Sequence, residues 1–189
     1  MIIVVRHGRT EANASGLLLG RADPPLDDLG RAQADAIARV LTGVVRVVAS
    51  PLRRAQETAA ALGLPVETDE RWIELDYGEW DERPIAEIPA AAWTTWRDDP
   101  SFRPPGGETL GELNRRVRAA CADLAAEPLD GDVVVVTHVS PLKSAVAWAL
   151  EVHEELSWHL FVAPGSITRI DRRDDRCVLL SFNEVAHLR

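Results

Sequence analysis

With 189 residues the chain can bury one sizeable core, and a single domain spanning residues 1–189 is expected. An apolar fraction of 46% and a charged fraction of 27% are those of an ordinary soluble globule. A formal net charge of −9 argues against a nucleic-acid or anionic-membrane partner, because such partners select basic faces; any phosphate bound here has to be held by a local cluster of cations.

Residues Ile2 to Val5 form an unbroken run of β-branched side chains, the mark of a strand buried on both faces. The run stops at Arg6-His7-Gly8, which sets an arginine and a histidine at the carboxyl edge of a sheet, where open α/β sheets hold their ligands. A glycine there lets the backbone turn sharply or approach a ligand closely, and His7 reads as a nucleophile. Residues 13 to 23 look irregular, with Gly16 and Gly20, and a helix is predicted from about Asp27 with Leu29, Ala32, Ala36, Ile37, Val40 and Leu41 on one face. Gly43 ends it. Arg46 to Ala49 is the second predicted strand, and Ser50-Pro51 is expected to cap and open a helix through about Leu62.

Short strand or extended coil follows from Pro65 to Gly78. Residues 80 to 107 carry Pro84, Pro89, Pro100, Pro104 and Pro105 and read as an irregular insertion roofing the site, with short helices over 85–88 and 90–97. Thr109 and Glu112 make a capping box for a helix to about Glu127, whose apolar face is Leu110, Leu113, Val117, Cys121 and Leu124. Val133 to Thr137 is a buried strand that empties into His138, and Ser140-Pro141 opens the next helix, to about Leu150. Strands over 166–171 and 176–181, joined through Asp174-Asp175, are expected to form an antiparallel hairpin. The alternation predicts an α/β fold, a three-layer α/β/α sandwich with a mostly parallel central sheet. Three strands then deliver Arg6-His7, residues 50–54 and His138 to one edge.

Cys121 and Cys177 have no metal-ligand spacing and read as buried small hydrophobes; His153, His159 and His187 also lack metal-ligand partners. No metal and no cofactor is expected. No span is apolar enough for a transmembrane helix, and the first residues do not resemble a signal peptide, so a cytoplasmic enzyme is the simplest expectation.

The segments Arg6-His7-Gly8-Arg9-Thr10-Glu11-Ala12-Asn13, Ser50-Pro51-Leu52-Arg53-Arg54-Ala55 with Thr58-Ala59, Glu74 with Tyr77-Gly78, and His138 resemble the histidine phosphatase superfamily, in its phosphoglycerate mutase-like branch, and they run in the family's order over most of the chain. The resemblance implies that His7 attacks phosphorus and carries the phosphoryl group, while Arg6, Arg54 and His138 surround the phosphoryl oxygens. Neutral imidazole is a good nucleophile once a partner on its other nitrogen, here expected to be a backbone carbonyl, fixes the tautomer. Arginine suits the cage because its planar fork makes paired bonds to phosphate oxygens and stays charged. Of Arg53 and Arg54, the one directly before alanine matches the family's catalytic arginine; Arg53 reads as solvent-facing.

The resemblance makes Glu74 the proton donor to the leaving oxygen and then the base that helps water attack the phosphohistidine. Read alone, it is one acidic residue among Glu70, Asp76, Glu79 and Asp81 and suits the surface. Asn13 is implied to hold the phosphate or its loop, with a plain loop asparagine as the alternative; Gly20 and the N–H of Val139 complete the implied substrate-binding set. The pattern departs from many relatives at Leu17 and Leu19, where they carry arginine and glutamine, and at Val139, where glycine is frequent and positive φ would be costly for valine. Trp72, Trp80, Trp93 and Trp96 lie in or beside the insertion. Together with the two leucines they suggest a phosphomonoester with an apolar or extended organic part, unless they merely pack the insertion. A metal-independent phosphomonoester hydrolase is therefore expected, acting on a small molecule as monomer or homodimer. The alternatives are a cofactor-dependent phosphoglycerate mutase and a non-catalytic phospho-ligand binder.

Overall fold

The computed structural model describes residues 1–99, 101–128, 130–173 and 176–189. Six strands, β1 (Ile2–Arg6), β2 (Val44–Ala49), β3 (Val66–Thr68), β4 (Asp132–Thr137), β5 (Ile167–Arg173) and β6 (Arg176–Glu184), make one sheet in the order β3-β2-β4-β1-β5-β6. The first four in that order run parallel, whereas β5 is antiparallel to β1 and β6 to β5. The predicted hairpin is present; its turn, Asp174-Asp175, lies outside the described residues, as does Pro100 of the insertion.

The central strands show why their sequences are unbroken apolar runs. Ile2, Val4, Val133 and Val135 face one core with Leu113, Val117 and Cys121 of α5 (Leu110–Ala126) and Leu142 and Ala145 of α6 (Val139–Ala149). Ile3, Val5, Val134 and Val136 face the other, with Ile37 of α2 (Asp28–Val40) and Ala55 and Ala59 of α3 (Arg53–Ala60). A strand with helices on both sides has no solvent face for a polar residue to occupy. The result is a three-layer α/β/α sandwich, with a one-turn α1 (Glu11–Ala14) and α4 (Ala90–Asp98) added at its periphery.

Three local expectations are corrected. Leu29, Ala32 and Val40 are exposed, and α2 buries Gly30, Ala34, Ala36 and Ile37 instead. The helix is turned this way because Gly30 lies against the backbone of Arg9, and Gly8 against Gly30: a Cβ on either would run into a carbonyl oxygen across the contact. Second, α3 begins at Arg53 with no side-chain cap, so Ser50 is not its N-cap. Cys177, third, is only partly buried, whereas Cys121 is in the core. The capping box of α5 forms with both reciprocal bonds between Thr109 and Glu112.

Candidate active site

Register aligns the carboxyl ends of the three central strands. Arg6 pairs with Thr137 and Ala49 with Val136, the His7 N–H donates to Thr137 O at 2.9 Å, and the Ser50 N–H donates to Val136 O at 3.0 Å. His7, Ser50 and His138 therefore leave the sheet side by side, and the rings of His7 and His138 lie 5.0 Å apart between centroids.

Arg54, fully buried on the first turn of α3, sits between them. Its Nε lies 3.3 Å from His7 Nε2 and 3.2 Å from His138 Nδ1. Guanidinium can only donate, so both of these ring nitrogens are acceptors, and the protons are on the other two. His7 Nδ1–H accordingly donates to the Gly8 carbonyl at 2.6 Å, and His138 Nε2–H donates to Ser50 Oγ at 2.7 Å. Both rings are neutral: burial, then the charges of Arg54 and, for His7, Arg6, push each well below the usual histidine value. His7 thus presents an unprotonated Nε2.

The guanidinium is held from behind. Its NH1 donates to Ala22 O at 2.6 Å and its NH2 to Gly20 O at 2.7 Å. That loop is itself fixed by Asp81, whose carboxylate accepts from the N–H groups of Gly20, Arg21 and Ala22 at 2.7, 2.8 and 2.7 Å. Thr58 ties the two halves together, its hydroxyl accepting from Gly8 N–H at 3.0 Å and donating to Arg54 O at 2.7 Å. Gly20 thus faces Arg54 and Asp81 with its polar groups, and Tyr77 and Leu75 leave no room there for a side chain.

Arg6 donates through NH1 to Val162 O at 2.7 Å, and its buried Nε has no partner among the described residues. Burial pulls it to about 10, which leaves it charged at neutral pH. Glu74 is buried and not at the surface. Its carboxylate accepts from Leu75 N–H at 2.7 Å, Val139 N–H at 3.0 Å and Ser140 N–H at 3.2 Å, the last two at the start of α6. Val139 is the first helical residue and is not among the residues of positive φ, so the cost foreseen for valine does not arise. Asn13 closes a capping box with Thr10 on α1, its Oδ1 accepting from Thr10 N–H at 3.2 Å.

Arg6, His7, Asn13, Glu74, Val139 and Lys143 line a cleft of about 410 Å³, within the usual range for small-molecule sites. Arg54 and His138 lie behind His7, fully buried. Of the insertion only Ile85 is among the lining residues. Its Trp80 and Trp96 belong to the core, and Trp93 and Trp96 line, with Trp158, a smaller cavity of about 140 Å³ that shares Tyr77, Val139 and Lys143 with the cleft. Among the described residues, no group of three or more His, Cys, Asp or Glu is placed to hold a metal ion, and no helix is long and apolar enough to cross a membrane.

Sequence reasoning missed Ser50 and Asp81 as parts of this site. Ser50 stood in a matched segment but was explained by a helix start, and Asp81 was one carboxylate in an acidic stretch; nothing local distinguishes either.

A family model described as histidine phosphatase superfamily (branch 1) matches residues 2–185. The chain belongs to this family. Among curated members, the probable phosphoglycerate mutase GpmB of Yersinia enterocolitica is 31% identical over 203 aligned positions, covering 99% of this chain and 94% of that protein. The bifunctional protein Rv2228c of Mycobacterium tuberculosis is 33% identical over 177, covering 88% of this chain, which spans only 49% of that protein's length. Among solved members, mycobacterial glucosyl-3-phosphoglycerate phosphatase in complex with VO3 superimposes with a TM-score of 0.89 at 32% identity, covering 97% of this chain and 98% of that one.

Proposed function

We propose that the protein is a metal-independent phosphomonoester hydrolase that carries the phosphoryl group on Nε2 of His7. The observation that carries this reading is the sharing of Arg54 Nε between His7 Nε2 and His138 Nδ1, which leaves a neutral, oriented imidazole beside a fixed cation. A substrate phosphoryl group enters against Arg6 and His7, with the Arg54 charge and the His138 ring buried directly behind His7. His138 keeps Nε2–H on Ser50 and its Nδ1 on the Arg54 Nε–H, holding the guanidinium beside His7. His7 Nε2 attacks phosphorus, the ester P–O bond breaks, and the proton carried by the substrate monoanion passes through the Glu74 carboxylate to the leaving oxygen. Glu74, again a carboxylate, takes a proton from the water that attacks the phosphohistidine, and inorganic phosphate leaves. Transfer passes through a loose transition state, so fixed charge and positioning supply most of the acceleration.

The mutase reading draws on the likeness to GpmB. Retaining a bisphosphorylated intermediate needs cations for a second phosphate, and Arg83, Arg97 and Arg103 are not among the cleft's lining residues. Arg103 pairs with Glu112. Assays of 3-phosphoglycerate with and without a bisphosphate primer separate the two: phosphate release without a primer requirement is expected, and primer-dependent isomerisation without net release contradicts the hydrolase. A protein that binds phosphate compounds but releases none across a broad panel of esters is the binder.

A further inference from the structure

Beyond the phosphoryl cage the cleft offers little to a polar substrate. Asn13 gives its amide oxygen to Thr10, and Lys143 donates Nζ to Ser157 O at 2.8 Å. Tyr77 also lines the cleft, its hydroxyl paired with Ser140 Oγ at 3.2 Å, and most of the remaining wall is hydrocarbon, including Leu17, Leu19, Ile85, Leu160 and Phe161.

Two of these residues are large, apolar and open to water: Phe161 is 73% exposed and Ile85 47%. Neither sits on a loose segment. Ile85 N–H donates to Gly16 O at 3.0 Å, Leu17 bridges Pro84, and Leu18 exchanges backbone bonds with Glu82 and Arg83. On the opposite lip, Val162 O accepts from Arg6, Ala163 N–H donates to Asn183 Oδ1 at 2.8 Å, and Gly165 N–H donates to the carbonyls of Arg6 and His7. Exposed hydrocarbon held rigidly around a cavity is the signature of a preformed apolar contact surface.

We infer that the alcohol part of the substrate is apolar: the ester is that of an aliphatic or aromatic alcohol, its hydrocarbon lying against Leu17, Ile85 and Phe161. This rests on the hydrolase reading and narrows it. The organic part of 3-phosphoglycerate or phosphoserine is charged, and would set a carboxylate against this wall with Lys143, one of whose N–H groups is already given to Ser157, as the one lining cation besides Arg6 among the described residues.

A homologous series of ethyl, butyl and hexyl phosphate tests it, because their leaving-group acidities are nearly equal and chain length reads apolar contact alone. Each fully buried methylene is worth about fourfold in kcat/KM, so hexyl phosphate should exceed ethyl phosphate by at least ~10-fold even with partial burial. Phe161→Ala and, separately, Leu17→Ala should compress that ratio by about threefold or more. A flat series, or O-phosphoserine or 3-phosphoglycerate cleaved with higher kcat/KM than hexyl phosphate, overturns the inference while leaving a phosphatase. Release from none of the esters ends the hydrolase reading itself.

Discussion

The hydroxyl of Ser50 accepts the Nε2 proton of His138 across 2.7 Å, deep beneath the cleft. The contact fixes the tautomer of a ring whose other nitrogen faces the Arg54 guanidinium, and so keeps that nitrogen an acceptor for Arg54. Replacing Ser50 by alanine orphans a buried N–H, at about 1–3 kcal/mol, and frees the ring to take the other tautomer. Turnover should fall by roughly 10- to 100-fold, by analogy with the larger loss when a catalytic histidine takes the wrong tautomer. Steady-state kinetics of Ser50→Ala and Ser50→Thr check this, the threonine variant recovering most of the rate.

Asp81 is not among the lining residues of the cleft, yet it should matter as much. Its carboxylate holds the three N–H groups of the loop whose carbonyls clamp Arg54. In Asp81→Ala the guanidinium loses its fixed position, and a misplacement of about 1 Å is worth roughly 10²-fold. The loss should appear in kcat, with the fold retained by circular dichroism. An Asp81→Ala enzyme with wild-type kcat would show that the loop holds Arg54 unaided.

Acid should destabilise the fold through the two buried histidines. Both are pushed well below the ordinary value of about 6.5 by burial and by neighbouring arginines. Between the native and unfolded values the unfolded chain binds more protons, so stability is full above about pH 6.5 and is lost as pH falls below it. Each histidine contributes a slope of up to about 1.4 kcal/mol per pH unit in that window. Urea unfolding at pH 7.5 and 5.5 measures it, and His7→Gln should reduce the difference; an unchanged difference would assign the acid sensitivity elsewhere.

The fold was legible where burial is symmetric. The runs Ile2 to Val5 and Val133 to Val136 have helices on both faces, so nothing but hydrocarbon fits and the pattern has one reading. Four positions of the candidate cage, Arg6, His7, Arg54 and His138, were named from the chain because strands ending in charged residues are informative and the motif order is specific. What escaped depends on contacts between distant segments. Ser50 and His138 are 88 positions apart and Asp81 and Gly20 61, and a serine before proline already has a sufficient local explanation. The rotation of α2 is set by the Gly30–Arg9 backbone contact, which periodicity alone does not reveal. The tryptophans, read as a possible roof, lie mainly in the core and the smaller cavity because that end of the sandwich has apolar surface to cover.

The most direct test of the account is to look for the phosphoryl group on the protein. Phosphohistidine is acid-labile, so the enzyme and its Glu74→Gln variant are mixed with a phosphomonoester, quenched in alkali, digested and analysed by mass spectrometry. The account predicts a phosphoryl group on the His7 side chain, accumulating in any variant that slows the water attack and absent from His7→Ala. Full turnover with no label on His7, or label that persists in His7→Ala, would contradict it.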